Sequence, residues 1–201
     1  MYNNAEALFE AVKCDNVQII EQYILKGIDL ECKSDGGNTP LCSAAFCGSI
    51  NSLKILIENN VNIEARGQFG RRALHCAAET GKTECILELV KHGANVEAKD
   101  EDGATPLCLA AAFGHKNAVT LLLLHNANIE ARNKNGNTPM ILASMYGHVS
   151  TVKGLIEHGA NIGARNDDGH TALQFADANG FQEITKLFNI PLLRSRTSRG
   201  K

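Results

Sequence analysis

The stretch DGATPLCLAAAFGH, Asp102 to His115, decides the fold, because each of its parts recurs along the chain at a fixed step. Thr39-Pro40, Thr105-Pro106, Thr138-Pro139 and Thr171-Ala172 fall on one lattice of 33 residues, and Arg72-Ala73 fills the remaining node. Gly48, Gly81, Gly114, Gly147 and Gly180 keep the same step, as do Gly37, Gly70, Gly103, Gly136 and Gly169. A strict period with one supersecondary signature per unit marks a stacked solenoid. Within the quoted unit Asp102-Gly103 supplies a turn, Thr105 a hydroxyl N-cap, and Pro106 the first helical position, where a missing N–H costs nothing. Leu107, Ala110 and Ala111 then form one apolar stripe at i, i+3, i+4, with alanines small enough for neighbouring helices to approach closely. Gly114 ends that helix. Val119, Leu122 and Leu123 repeat the pattern on a second helix, which stops at His125-Asn126.

The second triplet recurs as Ile20, Tyr23, Ile24; Leu53, Leu56, Ile57; Ile86, Leu89, Val90; and Val152, Leu155, Ile156. Two short helices alone cannot bury enough surface to offset their chain entropy, so each unit needs its neighbours as the other wall of its core. The spacing therefore predicts one continuous array. His92, His125 and His158 fall in the last turn of successive second helices, where an imidazole can bond an orphan carbonyl; the spacing mimics a metal ladder, but capping is the simpler reading.

Twenty Lys and Arg against 22 Asp and Glu leave a formal charge of −2. No global field draws the chain to nucleic acid or an anionic membrane. MYNNAEALFE lacks the basic start and apolar core of a secretory signal, and the longest aliphatic run, Leu121 to Leu124, is too short to span a bilayer. The expectation is a soluble protein of the cytoplasm, with the nucleus open and a host cell open if specialised machinery delivers it. Seven cysteines with no CxxC read as reduced thiols. Cys42, Cys76, Cys85 and Cys108 fall inside predicted helices as packing residues.

Helix-turn-helix units carrying TPLCSAA, RALHCAA, TPLCLAA and TPMILAS, each followed by a hairpin such as HGANVEAKDEDG, resemble ankyrin repeats over residues 2 to about 190. The resemblance implies an all-α solenoid with projecting β-hairpin loops. It predicts an ankyrin repeat domain over 1–190, with repeats at 1–33 (N-cap), 34–66, 67–99, 100–132, 133–165 and 166–190 (C-cap), and a flexible basic tail over 191–201 beginning at the helix-stopping Pro191. The end units depart from the pattern through Glu6-Ala7, Asp177 and Thr185, as water-facing caps should. Repeat three lacks both the hydroxyl cap and the proline, a loss of about 1 kcal/mol. Gly154, inside a second helix, should cost roughly 1 kcal/mol relative to alanine.

The same resemblance implies a concave face that binds another protein through the second, third, fifth, thirteenth, fourteenth and last positions of each unit. Of the seven Phe and three Tyr in the chain, Phe46, Phe69, Phe113 and Tyr146 land on these positions. Aromatic and arginine side chains are common interface anchors. Phe46, Phe69, Phe113, Met145 and Tyr146, flanked by Arg66, Arg71 and Arg132, are therefore the expected partner site; the competing reading packs some of these rings between repeats. The expected molecule is a monomeric protein-interaction module or scaffold, with no cofactor, metal, small-molecule substrate, membrane or nucleic acid among its partners. Alternatives are a regulatory or inhibitory subunit of an enzyme and a host-directed effector of a pathogen.

Lys33, Arg66, Lys99, Arg132 and Arg165 form a basic file, with Glu31, Glu64, Glu97 and Glu130 two residues earlier. Residues i and i+2 of extended backbone share a face, so the two files should compensate one another, with an acidic-ligand groove as the sharper alternative. Repeat five carries Gly163 in place of the acid. In the resembled family that node often carries an asparagine open to hydroxylation, which glutamate here precludes. Catalysis is not expected, since no G-x-S-x-G, HExxH, P-loop or GxGxxG stands in the right flanks. Cys42, His75 and Cys108 share a node in successive units, but stacked helices stand about 8 to 10 Å apart, too far for one zinc shell.

Overall fold

Where the lattice puts a threonine, a helix starts. Thr39, Thr105, Thr138 and Thr171 each accept, through Oγ1, the backbone N–H three residues on, at 3.2 to 3.4 Å. The computed structural model describes residues 4–189, so the expected basic tail and its Pro191 stop lie outside the described residues. Among the described residues there are twelve α-helices in six pairs. They are α1 (Asn4–Lys13) and α2 (Val17–Leu25), α3 (Pro40–Cys47) and α4 (Ile50–Glu58), α5 (Ala73–Glu79) and α6 (Thr83–Lys91), α7 (Pro106–Ala112) and α8 (Lys116–Leu124), α9 (Pro139–Met145) and α10 (Val149–Glu157), and α11 (Ala172–Ala178) and α12 (Gln182–Phe188). First helices stack on first helices and second on second, in chain order.

One core runs the length of the stack. Ile20, Leu53, Leu56, Ile86, Leu89, Val119, Leu122, Val152 and Leu155, from the predicted triplets, are completely buried. In four of the five triplets the third member sits at the edge, with Ile24, Val90, Leu123 and Ile156 half-buried, while Ile57 is buried. Repeat three starts without a hydroxyl, yet its first turn tightens so that His75 N–H donates to Arg72 C=O at 2.9 Å. His75 Nδ1 accepts from Arg72 N–H at 3.3 Å, which recovers part of the expected loss.

The connecting loops are hairpins built from turns rather than ladders; among the described residues the bridge between Arg165 and Thr171 is isolated and no strand forms. Their rigidity comes from side chains. Asp100 Oδ1 accepts from Asp102 and Ala104 N–H at 2.9 and 2.8 Å, and Asn133 Oδ1 from Asn135 and Asn137 N–H at 3.1 and 3.0 Å. Neighbouring tips are stitched by Glu101 N–H to Phe69 C=O at 2.9 Å and Lys134 N–H to Asp102 C=O at 2.8 Å. The tips therefore form a continuous row.

The ends differ. At the C-terminal end Asp177 and Thr185 satisfy one another at 2.8 Å, a polar cap as expected. At the other end Ile19 is 39 % exposed, although its counterparts Ser52, Cys85, Ala118, Thr151 and Ile184 are sealed by a preceding unit. Glu6 is exposed there, and Ile19 adds an exposed apolar side chain that the sequence pattern does not announce.

Candidate protein-binding face

The hairpin tips and the first helices face each other across a groove. In repeat two a cleft of about 410 Å³ separates the tip at Ser34, Asp35, Gly36 and Asn38 from Phe46 and Cys47 of α3, with Phe9 of α1 as its floor. By the 33-residue register, Phe113 and Tyr146 occupy the node of Cys47 in repeats four and five. Each follows the last residue of α7 or α9 as its C-cap.

The four aromatics chosen from sequence all reach the surface: Phe46 is 49 % exposed, Phe69 54 %, Phe113 50 % and Tyr146 56 %. None is sealed between units. Met145 is half-buried and packs against the main core. Phe69 has a positive φ of 57°, and its neighbour Gly70 one of 66°. The other non-glycine residues at positive φ are Asp or Asn, which tolerate that region, so a bulky ring held there is a local strain imposed by the rest of the tip.

The three arginines behave differently from the rings. Arg71 Nη1 lies 2.7 Å from Glu79 Oε2 and its Nε 3.6 Å from the buried Asp100 carboxylate. The guanidinium also sits 5.5 Å from the Phe69 ring centroid. Arg71 thus bridges the tip of repeat three to the end of α5, and lies in the register between Phe46 and the Phe113–Tyr146 pair. Arg132 Nη2 donates to Arg165 C=O at 2.8 Å, with Nη1 3.8 Å from Asp167. Arg66 is exposed, with its guanidinium against Gly70.

The charge ladder is built otherwise than expected. The Glu31, Glu64, Glu97 and Glu130 carboxylates accept the backbone N–H of Asn62, Asn95, Asn128 and Asn161 in the next unit, at 2.6, 2.9, 2.8 and 2.7 Å. Each asparagine Oδ1 in turn accepts the N–H two residues on, at 2.9 to 3.0 Å. Lys99, Arg132 and Arg165 of the basic file reach forward to carbonyls instead, as Lys99 Nζ does to Arg132 C=O at 3.4 Å. These acids clasp one unit to the next, and Glu64 pairs besides with Arg72 Nε at 2.7 Å rather than with the base two residues on.

Cys42, His75 and Cys108 are spent on hairpin carbonyls. Cys42 Sγ donates to Arg71 C=O at 3.8 Å, His75 Nε2–H to Ala104 C=O at 3.2 Å, and Cys108 Sγ to Ala131 C=O at 3.9 Å. Burial pushes the His75 pKa down to about 4 and the Cys85 thiol up to about 11. Among the described residues no group of three or more His, Cys, Asp or Glu side chains converges on one point. His92 and His158 bond the carbonyls of Glu88 and Gly154 at 2.9 and 2.8 Å, as capping predicts, and His125 makes no such bond. The sequence reading missed a second role: His115 and His148 lie against the glycines of the preceding units and donate through Nε2–H to Glu79 and Ala112 C=O, both at 2.8 Å. The repeated Gly-His pair was its visible signal.

Helix pairs joined by turn-built loops, with variable side chains gathered opposite the tips, define a stacked helical-repeat scaffold. The family model described as Ankyrin repeats (3 copies) matches residues 2–67, 61–133 and 123–189, each match spanning about two of the units. The chain belongs to the ankyrin repeat family. Ankyrin repeats are in general protein–protein interaction modules. The curated proteins hold no match to this chain. Among the described residues no helix is long and apolar enough to cross a membrane.

Proposed function

We propose that this protein is a non-catalytic binding module, a single six-unit domain over 1–190, that captures another protein in the groove between its hairpin tips and first helices. The observation that carries the reading is the exposure of Phe113 and Tyr146 at one node of successive units. The stack has no structural need of rings there, and the face is rigid before any partner arrives, so little ordering cost attends binding. Arg71 divides the groove, so Phe113, Tyr146 and Met145 form its centre, while Phe46 belongs to a separate cleft toward the N-terminus. Phe69 stands at the tip beside the divide.

The test is affinity capture by wild type and by Phe113→Ala/Tyr146→Ala side by side, with thermal unfolding of both. Loss of capture with an unchanged unfolding midpoint supports the reading. Unfolding of the double variant would make the rings part of the core instead. Capture of one catalytic chain in a one-to-one complex would favour the inhibitory-subunit role, and capture of several proteins a scaffold.

A further inference from the structure

We propose that Cys42 and Cys76 form a reversible disulfide, a clasp between the second and third units that hydrogen peroxide closes and a dithiol reopens. The clasp does not depend on the groove or its partner. Stacking of the first helices brings the two residues together by register. In units four and five the equivalent positions are Cys108 and Leu142, which share one buried apolar cluster. The other joints carry Phe9 with Ser43, His75 with Leu109 and Ile141 with Phe175 at these positions, so the joint of units two and three is the one where thiols meet. Both thiols are buried.

Helix axes about 8 to 10 Å apart, with Cα atoms on cylinders of about 2.3 Å radius, leave squarely facing Cα atoms about 3.5 to 5.5 Å apart and offset ones somewhat further. A disulfide spans about 4.4 to 6.8 Å between Cα atoms, so neither helix has to move far. The two thiols are hydrogen-bond partners, Cys76 S–H donating to Cys42 Sγ, and Cys42 S–H donates onward to Arg71 C=O at 3.8 Å. The bond from Cys76 holds the Cys42 thiol below the ordinary cysteine range against the opposing effect of burial, while the same bond and burial raise Cys76. Cys42 is therefore the thiolate of the pair. Its cover is thin: a Cβ at Gly67 would lie 3.2 Å from Cys42 Sγ, so bare backbone lies over the sulfur. Where Asp100 and Asn133 brace the hairpins of units four and five, the third unit has Gly67, which supplies no such bond. Local opening of this hairpin admits a small oxidant.

The chemistry balances with hydrogen peroxide alone. Cys42 thiolate attacks one peroxide oxygen, the O–O bond breaks, and the departing hydroxide takes up the proton that Cys42 released, giving water and a sulfenic acid. Cys76 sulfur then attacks Cys42 Sγ; the S–S bond forms, the S–O bond breaks, and the leaving hydroxide carries off the Cys76 proton as a second water. The two thiols lose two electrons and the peroxide gains them. A dithiol reverses the step by exchange and leaves as its own disulfide. Closure withdraws the Cys42 S–H from Arg71 C=O and fastens α3 to α5, at the joint between the N-terminal cleft and the main groove.

The test treats the reduced full chain with hydrogen peroxide, as wild type and as Cys14→Ser/Cys32→Ser/Cys47→Ser, which removes the exposed and half-buried thiols. Remaining thiols are blocked in denaturant and the peptides mapped by mass spectrometry. The expected result in both proteins is a linked Cys42–Cys76 peptide that dithiothreitol abolishes, with Cys42 consumed about tenfold faster than the buried Cys85 and Cys108. The helical circular dichroism of the oxidised protein should be unchanged and its urea midpoint higher than that of the reduced protein. Cys76→Ala added to the triple variant should remove the linked peptide and let Cys42 run on to sulfinic acid. Cys42 and Cys76 still reduced after treatment, either one oxidised singly without linkage in the wild type, or linkage accompanied by loss of helical signal overturns the clasp. Linkage of Cys42 to another cysteine in place of Cys76 overturns it as well.

Discussion

His75 gives the stack a pH dependence that can be worked out from its surroundings. The side chain is completely buried, accepts from Arg72 N–H through Nδ1 and donates to Ala104 C=O through Nε2, so it joins the start of α5 to the next hairpin in its neutral form. Burial is the largest influence on it and lowers the pKa from 6.5 to about 4, with Arg72 adding to the effect and Asp100 opposing it. Above pH 6.5 the ring is neutral in both folded and unfolded chains and its contribution is complete. As pH falls from 6.5 towards 4 the unfolded chain takes up a proton that the folded one refuses, and stability is lost; below about 4 both are charged and the loss levels off. A shift of about 2.5 units at about 1.4 kcal/mol each gives a loss on the order of 3 kcal/mol, mostly incurred by pH 4.5. The assay is urea unfolding from pH 8 to 4.5 for wild type and His75→Gln. Glutamine is an apt replacement because Gln174, at the same node of the last unit, accepts Thr171 N–H at 2.9 Å and does not titrate. Wild type should lose roughly 2 to 3 kcal/mol more than the variant over that range. Parallel pH profiles for the two proteins would refute the reasoning.

Two further substitutions probe how units are joined. Asp15 sits at φ 53° on the node where later units carry glycine, and its carboxylate accepts from Ser52 N–H and Oγ–H at 2.7 Å each and from Asn51 Nδ2–H at 2.8 Å, capping α4 from the preceding unit. Burial raises its pKa, but the bonds from Ser52 and Asn51 outweigh it and the net direction is down. Asp15→Gly should therefore cost about 1 kcal/mol at neutral pH even though it restores the lattice glycine. That difference is present above the ordinary carboxylate pKa and fades on acidification below it, which urea unfolding at pH 7 and pH 3 checks; a stabilised variant would contradict it. Gly154 has ordinary helical backbone, and an added Cβ would meet Lys116 Cε at 3.3 Å, the movable end of a side chain. Gly154→Ala should stabilise by about 0.5 to 1 kcal/mol in thermal or urea unfolding, and destabilisation would show that Lys116 cannot yield.

The fold was legible because its information is local and repeated: Thr, Pro, Gly and the apolar triplets each act within a few residues, and the period multiplies the signal. What escaped was the contact between units. Glu97 looked like a surface charge beside Lys99, but its partner is the amide of Asn128, 31 residues on, and no single-unit pattern announces that bond. His115 and His148 were plain as part of a Gly-His turn, yet their bonds run back 36 residues to Glu79 and Ala112. The exposure of Ile19 escaped for a related reason, because Glu6-Ala7 marks the departure at the helix start while burial at the node of Ile19 depends on a neighbouring unit.

The candidate site shows the same limit with a consequence for chemistry. Exposure of Phe113 and Tyr146 followed from nodes the framework leaves free, since nothing in a unit calls for a ring there. The arginines also stood on free nodes, and their frequency as interface anchors set them beside the rings. The long stems of Arg71 and Arg132, however, reach the next unit's carbonyls and carboxylates, because each unit lies within one side-chain length of the next, while Arg66 stays exposed.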